Sequence, residues 1–287
     1  VEWVTVFFGA GPVKAIVNGE SVNIARYIAN GHSIFNVTNA VIFLFIMPVL
    51  VKAAIFLSPR ERGEDIFQLP EFDQTFVDSP VAATVQARSE LYKMSQVVRM
   101  SLDNIMSCWQ KKDLKSLQKT ERYEQHINTV HKEVQAYLTL IFQSEINESL
   151  SKEISNLMRV SNNLERIGNS VQNIGNLVEE VMGHSLPFSE QAQQDIDAIS
   201  GKVRQFLELV SENIQDESPG LLEHARELEN QIDNMREEMR QSHIERLKKN
   251  KCKVDSGLVF IEMLTRFEKI GDWSYKIAKA VSSGEKG

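Results

Sequence analysis

Apolar residues recur at three- and four-residue steps over most of the chain, the period of one buried helix face. Ala87, Leu91, Met94, Val98, Leu102, Ile105 and Trp109 form a first stripe. Ile127, Val130, Val134, Leu138 and Ile141 form a second, and Ile154, Leu157, Leu164, Ile167, Val171, Ile174 and Val178 a third. The pattern then resumes and predicts helices over about 189–215, 220–248 and 255–281. No proline lies between Pro80 and Pro187, and none follows Pro219. Proline inside a helix removes a hydrogen bond and clashes with the preceding turn, so such blocks suit long helices. Ser79-Pro80 reads as an N-cap followed by proline at the first helical position. No segment sustains strand alternation. Two sets of three helices predict an all-α bundle over 80–287, with units over about 80–183 and 188–282.

The pattern before residue 58 is different. Residues 37–57 are the least polar stretch, and their uninterrupted apolar run, 40–51, covers twelve positions. Crossing a bilayer takes roughly 20 mostly apolar residues, so run length alone also fits a buried core helix. Asn39 and Lys52 flank the run, and Lys52 can snorkel towards an interface. Pro48 kinks such a helix, which is tolerated where neighbouring helices re-satisfy the backbone. A membrane helix over about 32–57 is the favoured expectation. Lys52, Arg60 and Arg62 follow it and Arg26 precedes it, so the positive-inside tendency puts the large C-terminal part in the cytoplasm. Residues 3–17 are also apolar but are broken by Gly9, Gly11, Pro12 and Lys14, and read as a re-entrant or truncated membrane segment or as a loop. Residues 59–79, with Pro59 and Pro70, read as a linker.

Charge divides the chain at the same place. Its 287 residues carry a net charge of −7. Residues 1–57 hold Lys14, Arg26 and Lys52 against Glu2 and Glu20, leaving 29 basic and 37 acidic residues for the remainder. An acidic bundle is a poor binder of a phosphate backbone, because that affinity comes largely from lysine and arginine, which argues against a nucleic-acid partner. Cys108 and Cys252 form neither a zinc spacing nor a disulfide framework, and read as reduced thiols. No nucleophile–base pair or glycine-rich phosphate loop is visible, so the sequence reads as a non-enzyme. The first 25 residues lack the layout of a signal peptide. With Val1 in place of an initiator methionine, the sequence reads as the C-terminal portion of a longer protein.

The two halves of the bundle repeat one another. Residues 167–175 (IGNSVQNIG) align with 270–278 (IGDWSYKIA) at an offset of 103, and 164–167 (LERI) with 267–270 (FEKI). Residues 124–128 (EQHIN) align with 229–233 (ENQID) at an offset of 105. Gly168 and Gly175, matched by Gly271 and Ala278, lie on one helix face and let a neighbouring helix approach. Glu165 and Asn169 are one turn apart and share a face, as do Glu268 and Asp272, Glu229 and Asp233, and Glu124 and Asn128. Facing helices that present carboxylates can hold a divalent metal. The same spacing fits a solvated acidic face with salt bridges, and both readings stay open on spacing alone.

Leu164-Glu165-Arg166-Ile167-Gly168-Asn169 and Phe267-Glu268-Lys269-Ile270-Gly271-Asp272 resemble the two copies of the E-x-x-x-D signature of PhoU-like domains. That resemblance covers about 80–287. It implies twin three-helix repeats associated with phosphate transport, with metal on the acidic motifs. Upstream, residues 25–29 (ARYIA) and 31–36 (GHSIFN) run straight into the apolar helix. They are similar to a segment of Na⁺/phosphate cotransporters, whose bacterial members lead from their last membrane helices into a cytoplasmic PhoU-like domain. The Q-S-S motifs that bind substrate and sodium in that family are absent, and a neighbouring G-A-N-x-G-T motif survives only as Gly9-Ala10. Asn169 and Asn128 stand where the second repeat has Asp272 and Asp233. An amide offers an oxygen but no charge, so the first repeat, with Glu124 and Glu165, is expected to bind metal poorly. The fuller set is Glu229, Asp233, Glu268 and Asp272.

His32 and Asn36, one turn apart before the apolar run, are read as packing residues of a transport core. His126 and His131 are off one face and make a poor metal pair. The basic run of Lys248, Lys249, Lys251 and Lys253 suits a helix C-terminus or anionic lipid headgroups. The combined expectation is the C-terminal part of a sodium-dependent phosphate symporter in the plasma membrane. Residues 1–58 would be the end of its membrane domain, and 80–287 a cytoplasmic regulatory domain. The resemblance implies inorganic phosphate and Na⁺ as ligands, and lipid and the preceding membrane helices as partners. A second copy of the chain is left open. The rival is a membrane-tethered PhoU-like regulator that carries no substrate itself.

Overall fold

The structure, a computed structural model, describes residues 16–17, 20–21, 24–57, 67, 69–72, 79–216, 218–250 and 252–282. Residues 3–15, including Gly9 and Ala10, lie outside these, as do most of 59–79 and the side chain of Lys52. The chain divides into two compact units, Val1–Arg62 and Gly63–Gly287.

In the first unit, β1 (Ile16–Val17) pairs antiparallel with β2 (Glu20–Ser21). Helix α1 follows over Ile24–Leu57. Many of its described apolar side chains are exposed: Ile28, Phe35, Val37, Phe43, Leu44 and Met47 all are, Leu44 by 74%. His32 and Asn36 are exposed on the same helix. The expected span over 32–57 needs correction. A helix forms there, but among the described residues no helix is long and apolar enough to cross a membrane. Asn30, His32, Ser33, Asn36, Thr38 and Asn39 occupy its first half, leaving an apolar run of twelve residues against the roughly 20 a crossing needs.

The second unit is all helical among its described residues. Helix α2 spans Pro80–Lys111, α3 Gln118–Phe142 and α4 Glu148–Gly183. The set then repeats as α5 (Glu190–Gln215), α6 (Leu221–Lys248) and α7 (Val254–Ser282). A 3₁₀ turn, Leu114–Leu117, leads into α3. The helices stand where the apolar period places them because each stripe is the buried face: Leu91, Met94, Val98, Leu138, Ile167, Val171, Phe206 and Phe267 are fully enclosed. Local chemistry fixes several helix starts. The Asn147 side chain accepts from the Leu150 N–H at 2.8 Å, and Ser189 from the Ala192 N–H at 3.2 Å. Ser79 precedes Pro80 as expected, but its side chain makes no capping bond.

Within each repeat the three helices pack against one another, and across the repeats α4 packs on α7 and α2 on α5. One continuous core results. Reciprocal ion pairs lock the α2–α5 seam. Arg99 Nη2 reaches Glu208 Oε1 at 3.1 Å, and Arg204 reaches Asp103. These positions are related by the same offset of 105, so the duplication extends to the first helix of each repeat. Arg88 donates to the Ile214 carbonyl at the end of α5 and pairs with Glu153 at 2.9 Å, a cation at a helix C-terminus. Part of the linker belongs to this unit. Phe72 stacks on Tyr137 at 4.1 Å, and Phe67 meets Tyr123 and His126.

Two glycines set the helix spacing. A Cβ at Gly168 would stand 3.1 Å from Ile127 Cγ2, and one at Gly271 would stand 3.3 Å from Ile232 Cδ1. Ile127 and Ile232 are equivalent in the duplication, so both repeats use one device to bring their second and third helices together. Gly271→Leu will push α6 off α7 and cost about 1–3 kcal/mol, measured by urea unfolding.

Candidate metal centre

The glycine–isoleucine contact lies inside the acidic segments. Ile232 precedes Asp233, and Gly271 precedes Asp272, so the close approach of α6 and α7 brings carboxylates from both helices to one place. Ligand oxygens of Asp233, Glu268 and Asp272 lie within 4.8 Å of one another, the one such group of three among the described residues. All three side chains are half-buried. Glu229, one turn before Asp233, stands outside that trio but shares its field. Burial, then Asp233 and Asp272, push the Glu229 carboxyl above its usual range. Burial and Asp272 do the same to Asp233. Crowded carboxylates raised in this way repel one another, and a cation relieves the repulsion. These oxygen donors suit a divalent cation.

The first repeat is built alike but carries less charge, with amides at Asn128 and Asn169. Asn169 Nδ2 donates to Glu165 Oε1 at 2.7 Å, and Asn128 Nδ2 to Glu124 Oε1 at 3.5 Å. Each amide satisfies the acid one turn away, and no third carboxylate joins them in a cluster of the described residues. The donor set therefore fits a metal in the second repeat and not in the first.

Lys269 was not among the sequence-derived site residues. Its Nζ bonds Asp272 Oδ2 at 3.0 Å and lies 3.5 Å from Glu268 Oε2. The Asp272 bond holds the ammonium above the usual lysine range. The equivalent Arg166 turns elsewhere, stacking over the Trp273 ring at 4.6 Å. His126 and His131 form no metal pair: His126 packs on Phe67, and His131 Nδ1 meets Ser161 Oγ at 3.0 Å.

A second cluster joins α5, α6 and α7. His243 is 3% exposed, and neither ring nitrogen has a hydrogen-bond partner. Arg246 pairs with the buried Asp195 of α5 at 3.5 Å, and Phe260 of α7 lies 4.9 Å from the imidazole. Burial, reinforced by Arg246 and opposed by Asp195, holds the imidazole below its ordinary range. The folded protein therefore binds this proton less readily than the unfolded chain. The native state is at full strength above about pH 6.5, the unfolded histidine value, and loses stability as pH falls below it. His243→Leu will flatten that slope in urea unfolding between about pH 6.5 and 5. An unchanged slope contradicts the assignment.

Residues 91–178 and 196–281 each match the PhoU domain, and the chain belongs to that family. The fold is similar to that of PhoU from Pseudomonas aeruginosa, with a TM-score of 0.67, 16% identity, and coverage of 71% of this chain and 97% of that one. It is also similar to the phosphate transport system regulatory protein PhoU from Streptococcus pneumoniae, with a TM-score of 0.63, 14% identity, and coverage of 74% and 97%. No curated protein sequence is matched.

Proposed function

We propose that the chain is the regulatory end of a sodium-dependent phosphate symporter of the plasma membrane. Its PhoU domain, on the cytoplasmic side, adjusts phosphate uptake and catalyses no reaction. The observation that carries this reading is the union, in one chain, of a tandem PhoU domain with a long helix on which Ile28, Phe35, Phe43 and Leu44 are exposed. Soluble proteins seldom leave such a contiguous apolar surface bare. In this reading the exposed Ile28, Phe35, Phe43 and Leu44 of helix α1 offer an apolar docking surface to the transport core. His32 and Asn36 supply its polar contacts there.

In the bundle, Asp233, Glu268 and Asp272 would hold a divalent metal, with Glu229 in support. A bound metal would supply positive charge able to attract phosphate oxygens. The protein's part is to hold α6 and α7 close and to keep the acids half-buried, where their attraction for a cation is strongest. This points to a domain whose state follows metal and phosphate.

Ending the encoded chain after Arg62 and measuring radiolabelled phosphate uptake with and without sodium tests the proposal. Sodium-dependent uptake that persists but no longer falls at high external phosphate is the expected result. Unaltered regulation refutes it. A change confined to sodium-independent uptake points instead to a tethered regulator of a separate transporter.

A further inference from the structure

The two repeats treat equivalent acidic faces differently. In the first, Asn128 and Asn169 stand in place of two acids, and each uncharged amide donates to the glutamate one turn away. In the second, Asp233, Glu268 and Asp272 are all acidic, and a mobile cation stands among them. Lys269 contacts two of the three carboxylates, at 3.0 and 3.5 Å, from a side chain that is 43% exposed. Four rotatable bonds and open solvent let that ammonium withdraw without disturbing the bundle. The matching residue in the first repeat, Arg166, stacks instead on Trp273 of the second repeat.

We infer that Lys269 is the built-in counter-ion of the second repeat's acidic face, and that it sets divalent-metal affinity there because the ammonium must leave before a metal enters. The inference rests on the metal reading of that face and adds a residue that opposes binding. The ammonium offsets the charge of Glu268 and Asp272, the two carboxylates that it touches. A metal then replaces an internal ion pair instead of filling an unbalanced cluster, so affinity is lowered and occupancy responds to metal supply. A half-exposed ion pair is weak, so the displacement is a modest barrier.

The test is calorimetric titration of Mn²⁺ into the purified full chain, comparing wild type, Lys269→Met, Lys269→Arg and Glu268→Gln/Asp272→Asn, with helicity checked by circular dichroism. Lys269→Met is expected to bind about tenfold more tightly than wild type, two ion-pair contacts having been removed. Lys269→Arg is expected to stay near wild type, which separates charge from side-chain shape. Binding by Lys269→Met alone also supports the inference. Equal affinity in wild type and Lys269→Met overturns it while leaving the metal site standing. No binding by either, with both folded, overturns the metal reading and the inference together.

Discussion

Glu268→Gln combined with Asp272→Asn will reduce Mn²⁺ affinity of the second repeat by more than about 100-fold, because two of the three converging oxygen donors lose their charge. Glu124→Gln combined with Glu165→Gln will leave metal content unchanged, since those acids already accept hydrogen bonds from Asn128 and Asn169. The reverse change is equally informative. Asn128→Asp with Asn169→Asp restores the charge pattern of the second repeat in the first, and should raise the bound metal from one site to two. Metal analysis of the purified variants reads all three results. Loss of metal on changing the first repeat would place the site elsewhere.

Phe267→Ala will destabilise the bundle by about 3–5 kcal/mol, the usual cost of removing a fully buried phenylalanine and leaving a cavity. Phe267 is completely enclosed, one residue before Glu268 and one turn before Gly271. Its counterpart Leu164 is buried in the same way in the first repeat. The cavity would open at the base of the acidic face, so metal affinity should fall as well, although no ligand has changed. Urea unfolding of the Gly63–Gly287 unit measures the first effect and Mn²⁺ titration the second. A loss below about 1 kcal/mol would mean that the packing around Phe267 closes over the gap.

Much of this molecule was legible in its sequence, for identifiable reasons. The six helices of the bundle follow from apolar stripes whose period equals that of the helix, and the duplication from short segments repeated at a near-constant offset. The pairing of Glu268 with Asp272 follows from one helical turn. What sequence did not show depends on long-range register or on side-chain direction. Ile127 and Ile232 read only as core residues, yet their contacts with Gly168 and Gly271 set the spacing of the acidic helices. Lys269 looked like an ordinary surface lysine. Only its direction, back towards Asp272, makes it part of the site. His243 lies in a strongly polar run, and nothing near it in sequence signals burial. Phe260, seventeen residues on, encloses it from another helix. The reciprocal pairs of Arg99 with Glu208 and Arg204 with Asp103 were available from the repeat alignment once extended to the first helices. Helix α1 was foreseen as a helix, but the apolar length of its described residues falls short of a crossing.

Control of phosphate uptake by the acidic metal face is tested most directly by radiolabelled phosphate uptake in cells whose encoded chain carries Glu268→Gln and Asp272→Asn, at low and high external phosphate. Wild-type cells should slow uptake when phosphate is plentiful, and cells with the double variant should not, while both keep the same sodium dependence. Identical phosphate responses in the two, with the variant protein present at normal levels, would contradict the account.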